Sequence, residues 1–273
     1  MRPLRPIAVL PTLFTLGNLV CGFFAIVVAS RVAAPAESAL AAPTDARDLM
    51  TSAWLIFLAM IFDALDGYVA RLSRTSSDFG AQLDSLCDLV TFGVAPAFLL
   101  VKMCPSFALQ HREEVWAIAA AFAACAALRL ARFTIETGDE DEHLHFSGLP
   151  SPAAAAAVAG FAIMFHTLRR PDNPPPYAHE IDAALQSVLP LFAVLVALLM
   201  VSRVPYPHIV NQVFRGHRSF GHVVAVLFAL VAVMAVRGYA VPIVCVAFVL
   251  YGPARLAWKR VFSHGREREE PLF

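Results

Sequence analysis

Three features of the sequence predict an all-α fold, a polytopic bundle of about eight membrane-crossing helices. Of 273 residues, 59% are hydrophobic and only 15% charged, too little charge for a water-soluble domain of this length. The apolar residues gather in runs of about 20, the length that crosses a hydrocarbon core. Prolines and charges collect in the short segments between those runs. The formal net charge is zero, which argues against a nucleic-acid partner and leaves the lipid bilayer as the surroundings.

The runs cover residues 8–30, 50–70, 84–103, 115–133, 149–168, 181–202, 220–236 and 239–257. The first is too long for a cleaved leader and carries Pro11, Gly17 and Asn18 in place of a small-residue cleavage pattern. Within it Thr15 and Asn18 share one helix face, a pattern that suits polar contact between helices. Residues 31–49, rich in Ala, Pro and Asp, read as an outer loop. The fourth run ends with Arg129 and Arg132 at i and i+3, either basic anchors at the membrane surface or a clamp for phosphate or carboxylate.

Acidic residues 136–142 read as a solvated loop, and Phe146–Pro152 leads into the fifth run. Proline is at home in a first helical turn, where free N–H groups also suit an anion. The Ala153–Ala157 run permits close helix packing. Four prolines make 169–180 an extended outer linker, and the basic stretch after Ser202, as far as Arg218, reads as a cytoplasmic loop. Only Arg237 and Gly238 separate the last two runs, which form either two spans or a re-entrant hairpin. The five cysteines lie in or beside apolar runs without CxxC spacing and read as small core residues.

The candidate chemistry is concentrated between Asp63 and Asp88. Asp63, Asp66, Gly67, Ala70 and Arg71 fall at i, i+3, i+4, i+7 and i+8, one stripe of a helix. Asp84 and Asp88 form a second stripe at i and i+4, with Gly80 one turn before. The short polar connection Ser73–Asp78 allows the second helix to fold back so that both stripes meet at one depth. Four carboxylates in a small apolar volume require countercharge. An all-oxygen donor set suits a hard cation, Mg2+ or Mn2+, and four carboxylates are enough for two ions. Small residues at 67, 70 and 80 let a ligand approach the backbone.

The string D63-x2-D66-G67-x2-A70-R71-x8-G80-x3-D84-x3-D88 resembles the signature of the CDP-alcohol phosphotransferases, integral membrane enzymes of phospholipid headgroup synthesis. The first span carries a pattern similar to that family's Pro-Asn-x-x-Thr, with Thr12 at the asparagine position. Leu10–Gly22, Leu128–Phe133, Phe146–Pro152 and Val201–Pro207 are similar to blocks of the bacterial membrane-embedded members that make phosphatidylserine. The resemblance implies a catalytic core in the first six helices. Its implied substrates are CDP-diacylglycerol and L-serine, its products phosphatidylserine and CMP.

The resemblance further implies that Asp63, Asp66 and Asp84 hold metal. Asp88 helps to bind metal and takes the serine proton. Gly67, Ala70, Arg71 and Gly80, with Thr15 and Asn18, position CDP-diacylglycerol. Arg129 and Arg132 hold the serine carboxylate or a lipid phosphate, and a homodimer is implied. The domain division expected is 1–218 for the catalytic membrane domain, 219–258 for a C-terminal hydrophobic hairpin and 259–273 for a charged tail.

Fourteen of the 21 Lys and Arg residues fall on the inner side if the N-terminus is cytoplasmic. This places both termini and the aspartates on the cytoplasmic side of a bacterial-type inner membrane. Sister enzymes using glycerol 3-phosphate, an inositol phosphate or choline are the nearest alternatives, although a phosphorylated acceptor wants a denser cationic pocket. A prenyltransferase would need a second, distant Asp-rich motif. A cation transporter would need polar residues at matching depth on several helices.

Overall fold

The first two spans fold as an antiparallel hairpin because each offers small residues where the other is bulky. Gly17 faces the Phe62 ring, which a Cβ at residue 17 would meet at 3.4 Å, and lower down Ser52 Oγ donates to the Ala25 carbonyl at 2.8 Å. The structure, a computed structural model, describes residues 6–32, 43–73, 78–136, 148–169, 176–206 and 237–263. Helix α1 covers Pro6–Ser30 and α2 covers Pro43–Ser73. Helix α3, Asp78–Asp88, runs through a π-helical segment, Leu89–Val94, into α4, Ala95–Met103. A short α5, Pro105–Gln110, precedes α6, Arg112–Glu136; α7 is Ser151–Leu168 and α8 Ala178–Val201. A 3-10 turn at Arg237–Tyr239 opens α9, Ala240–Ser263.

Among the described residues, seven helical runs are long and apolar enough to cross a membrane, and seven of the eight expected runs fall on them. The eighth, 220–236, lies outside the described residues, as does the tail from 264. Two boundaries differ from expectation. Residues 43–49, expected in an outer loop, form the first turns of α2; Pro43 is pre-set for a first helical position and Asp45 suits the positive end of the helix dipole. The third span begins at Phe79 rather than 84, because polar Asp78, Gln82 and Asp84 continue one helix instead of ending it.

The most enclosed spans are α3–α4 and α7. Phe92, Leu99, Leu100 and Met103 pack with Phe122 of α6 and with Ala154, Ala155 and Phe165 of α7, and Cys21, Cys87 and Cys104 are buried. Small residues let the helices close up: a Cβ at Gly93 would lie 3.2 Å from Ala126, and one at Gly160 would lie 3.1 Å from Pro242. At one end of the bundle Lys102 Nζ donates to the Val32 carbonyl at 2.7 Å. There Arg169 grips Asp182 with Nε at 2.7 Å and Nη2 at 3.2 Å, and Gly238 abuts Thr167.

At the opposite end the chain leaves α8 and is tied to the start of α7 through Gly148 N–H donating to the Val204 carbonyl at 2.9 Å. Tyr206 then docks on α9. Its hydroxyl donates to the Val249 carbonyl at 2.8 Å, and burial pushes its pKa up to about 12, so the donor persists at all ordinary pH values. Tyr206 and Gly238, which flank residues 207–236, therefore sit at opposite ends of the bundle.

Candidate active site

Helix periodicity puts Asp63 and Asp66 on one face of α2, and packing turns that face toward α3. One carboxylate oxygen each from Asp63, Asp66 and Asp84 lie within 4.8 Å of one another. Asp66 is only 5% exposed and Asp88, one turn beyond Asp84, only 8%. Asp66 Oδ2 and Asp84 Oδ1 are buried without a hydrogen-bond partner. Buried carboxylate oxygens rarely go unsatisfied, so their orphaned state fits a cation as the missing partner. The two acidic stripes expected from the sequence thus converge.

Helix α1 supplies what the spacing of the aspartates did not disclose. The Thr15 hydroxyl hydrogen-bonds the Asp66 carboxylate, and Asn18 Nδ2 donates to Asp88 Oδ1 at 2.9 Å. Both α1 side chains are buried, Thr15 at 5% and Asn18 at 0% exposure. The resemblance implies that Thr15 and Asn18 contact CDP-diacylglycerol, and their shared face suits polar contact between helices; the partners the structure gives them are Asp66 and Asp88. Their one-turn spacing was visible in the sequence, but nothing there identified the partners, which lie 51 and 70 positions away.

Arg129 of α6 is within electrostatic reach of Asp88 and Asp63, and its Nη1 donates to Ser151 Oγ, the first residue of α7, at 2.6 Å. Its guanidinium therefore bridges the acidic cluster and a helix N-terminus. Sequence reasoning named Arg129 but not Ser151. Arg132 is half-buried one turn further along α6. Gly67 faces open space, with nothing within 4 Å of a Cβ built there. Gly80 is half-buried on α3. Ala70 and Arg71 belong to α2, but their side chains lie outside the described residues.

The family model described as CDP-alcohol phosphatidyltransferase matches residues 8–199, which takes in every one of these groups. The chain belongs to the CDP-alcohol phosphatidyltransferase family. Among curated CDP-alcohol phosphatidyltransferase relatives, the CDP-diacylglycerol–serine O-phosphatidyltransferase of Methanocaldococcus jannaschii is 37% identical over 206 residues, 75% of this chain and 83% of the relative. The enzyme of the same name from Helicobacter pylori is 32% identical over 206 residues, 76% of this chain and 75% of the relative. The archaetidylserine synthase of Methanothermobacter thermautotrophicus is 33% identical over 157 residues, 57% of each chain. CDP-alcohol phosphatidyltransferases use divalent metal ions, and the cluster of Asp63, Asp66 and Asp84 is a donor set of the right chemistry.

Proposed function

We propose that this protein transfers the phosphatidyl group of CDP-diacylglycerol to the hydroxyl of L-serine, giving phosphatidylserine and CMP. The observation that carries the reading is the gathering of three carboxylates within 4.8 Å, with Asp88 beside them, in a chain whose relatives carry the serine transferase name. Asp63, Asp66 and Asp84 hold Mg2+ or Mn2+, with Asp88 contributing at the edge. Bound there, a divalent ion neutralises the diphosphate and eases departure of CMP.

The chain's own residues do the rest. Gly67, with open space at its Cα, together with Ala70, Arg71 and Gly80, lets the cytidine diphosphate approach the α2–α3 corner. Arg129, held by Ser151, and Arg132 receive the serine carboxylate or the lipid phosphate. Asp88 accepts the serine hydroxyl proton as the new O–P bond forms and the P–O bond to CMP breaks. A carboxylate is a weak base for an alcohol, so the transfer is concerted with bond formation; such a base is worth about 100-fold or more in rate. Thr15 and Asn18 act on the aspartates.

Residues 1–218 are assigned to the catalytic membrane domain and 219–258 to the C-terminal hydrophobic part of the same bundle; α9 runs on to Ser263, so the charged tail expected from 259 is cut back to the residues after it. The basic residues flanking the spans support a cytoplasmic site and cytoplasmic termini in the inner membrane, and the family resemblance supports a homodimer. The test is purified protein in mixed micelles with CDP-diacylglycerol, a panel of serine, glycerol 3-phosphate, an inositol phosphate and choline, and a chelator control. Metal-dependent CMP release with serine alone is the expected result. Preference for another acceptor would transfer the protein to a sister activity, and ion flux without CMP release would remove the enzyme reading.

A further inference from the structure

Directly after Asp88 the helix changes hand-over from four to five residues, as the π-helical segment Leu89–Val94. Such segments are rare and gather at functional sites. Here the segment is locked to α1. Thr91 Oγ1 donates to the Asn18 carbonyl at 3.2 Å, and α1 comes so near that a Cβ on Gly22 would lie 2.9 Å from the Thr91 Cα. The same Asn18 donates through its side chain to Asp88 at 2.9 Å. Backbone and side chain of one residue thus grip both Asp88 and the segment that follows it.

A second feature sets Asn18 apart from an ordinary interhelical contact. It is fully buried, yet its Oδ1 has no hydrogen-bond partner. An amide chosen only for stability would satisfy both ends or be replaced by an apolar residue of similar shape. The Asn18 amide is the donor to Asp88 Oδ1, the direction that a carboxylate about to take a proton requires. A neutral donor also fixes a carboxylate without cancelling its charge, as a lysine or arginine at this distance would.

We infer that Asn18 is a positioning residue for Asp88: its amide occupies Oδ1, so that Oδ2 is the oxygen presented to the acceptor hydroxyl. The inference rests on the proposed role of Asp88 as the proton acceptor. Asn18 touches neither substrate; it acts through Asp88, and the lock between α1 and the π-helical segment keeps both at a fixed depth. A general base held even about 1 Å out of line forfeits on the order of 100-fold in rate.

The test compares Asn18→Leu, which keeps the shape and removes the donor, with Asn18→Asp, which keeps the shape and offers an acceptor. Asn18→Ala, smaller and without a side-chain donor, is made in parallel so that a folded variant is in hand. Each is purified in detergent, checked for a monodisperse elution profile, and assayed with whichever acceptor of the panel the wild-type protein turns over. Expected are a kcat lower by about 30- to 100-fold and a KM for CDP-diacylglycerol within twofold of wild type. Mn2+ binding, read by electron paramagnetic resonance without substrate, changes far less than kcat, because Asp63, Asp66 and Asp84 are left in place. A folded variant with kcat within threefold of wild type would overturn the inference. So would a loss confined to the CDP-diacylglycerol KM, which would make Asn18 a ligand contact. A wild type that uses an acceptor other than serine counts against the proposed substrate alone, since the Asn18 comparison is then run with that acceptor.

Discussion

Replacing Asp84 with asparagine should make the metal-free protein more stable and the enzyme inactive, two effects of opposite sign from one change. Its carboxylate lies within 4.8 Å of those of Asp63 and Asp66. At that distance, with an effective dielectric of about 20, two unit charges repel by roughly 3 kcal/mol. Asp84 takes part in two such pairs, and the Arg129 guanidinium, which is within reach of Asp63, offsets part of the repulsion. Removing the charge should therefore stabilise the chelated protein by about 1–3 kcal/mol, at roughly 2–4 °C per kcal/mol. With Mn2+ at about 100 times its dissociation constant the wild type gains about 2.7 kcal/mol, and the variant should gain far less. The assay is a thermal melt in detergent with chelator and with Mn2+, paired with CMP release. A variant that melts lower than wild type in chelator, or that keeps the full Mn2+ shift, would refute the view that these three carboxylates share one ion.

Further consequences follow from the same geometry. Asp88→Asn should lower turnover by about 100-fold or more while the protein stays folded and still binds CDP-diacylglycerol; near-normal turnover would remove Asp88 as the base. Gly22→Ala should destabilise by about 1–3 kcal/mol, because its Cβ would lie 2.9 Å from the Thr91 backbone, whereas Gly67→Ala, with nothing within 4 Å, should melt like wild type and show its effect in the KM for CDP-diacylglycerol. Arg132→Ala should raise the KM for serine more than that for CDP-diacylglycerol, and the reverse pattern in steady-state kinetics would move Arg132 to the lipid site. Tyr206→Phe should cost about 1 kcal/mol in the melt, through loss of the 2.8 Å bond to the Val249 carbonyl.

Much of this site was legible before any coordinates. The i, i+3 and i, i+4 spacings of Asp63 with Asp66 and of Asp84 with Asp88 define helix faces wherever those segments are helical, and the short connection at 73–78 left little freedom but to fold back. The pairing of the two arginines with the same end of the bundle also followed from span order. What could not be read was the start of α2, where a stretch rich in Ala, Pro and Asp resembled a loop although Pro43 and Asp45 are good residues for a first turn. The π-helical segment was equally hidden. Leu89–Val94 has the composition of an ordinary span, and the extra residue per turn is held by contacts with Gly22 and Asn18 of another helix.

The sequence by itself determined the class of the protein and the inventory of its chemistry: apolar runs long enough to span a bilayer, and acids, glycines and arginines in a fixed order along them. These are local properties, set by helix periodicity and by the cost of leaving a charge in hydrocarbon. Tertiary structure decided which acids come within 4.8 Å of one another, that Asp88 pairs with Asn18, and that Arg129 leans on Ser151. Those outcomes depend on how closely α1, α2, α3 and α6 approach one another, and the approach is set by small residues meeting across helices, which no spacing within a single helix reports.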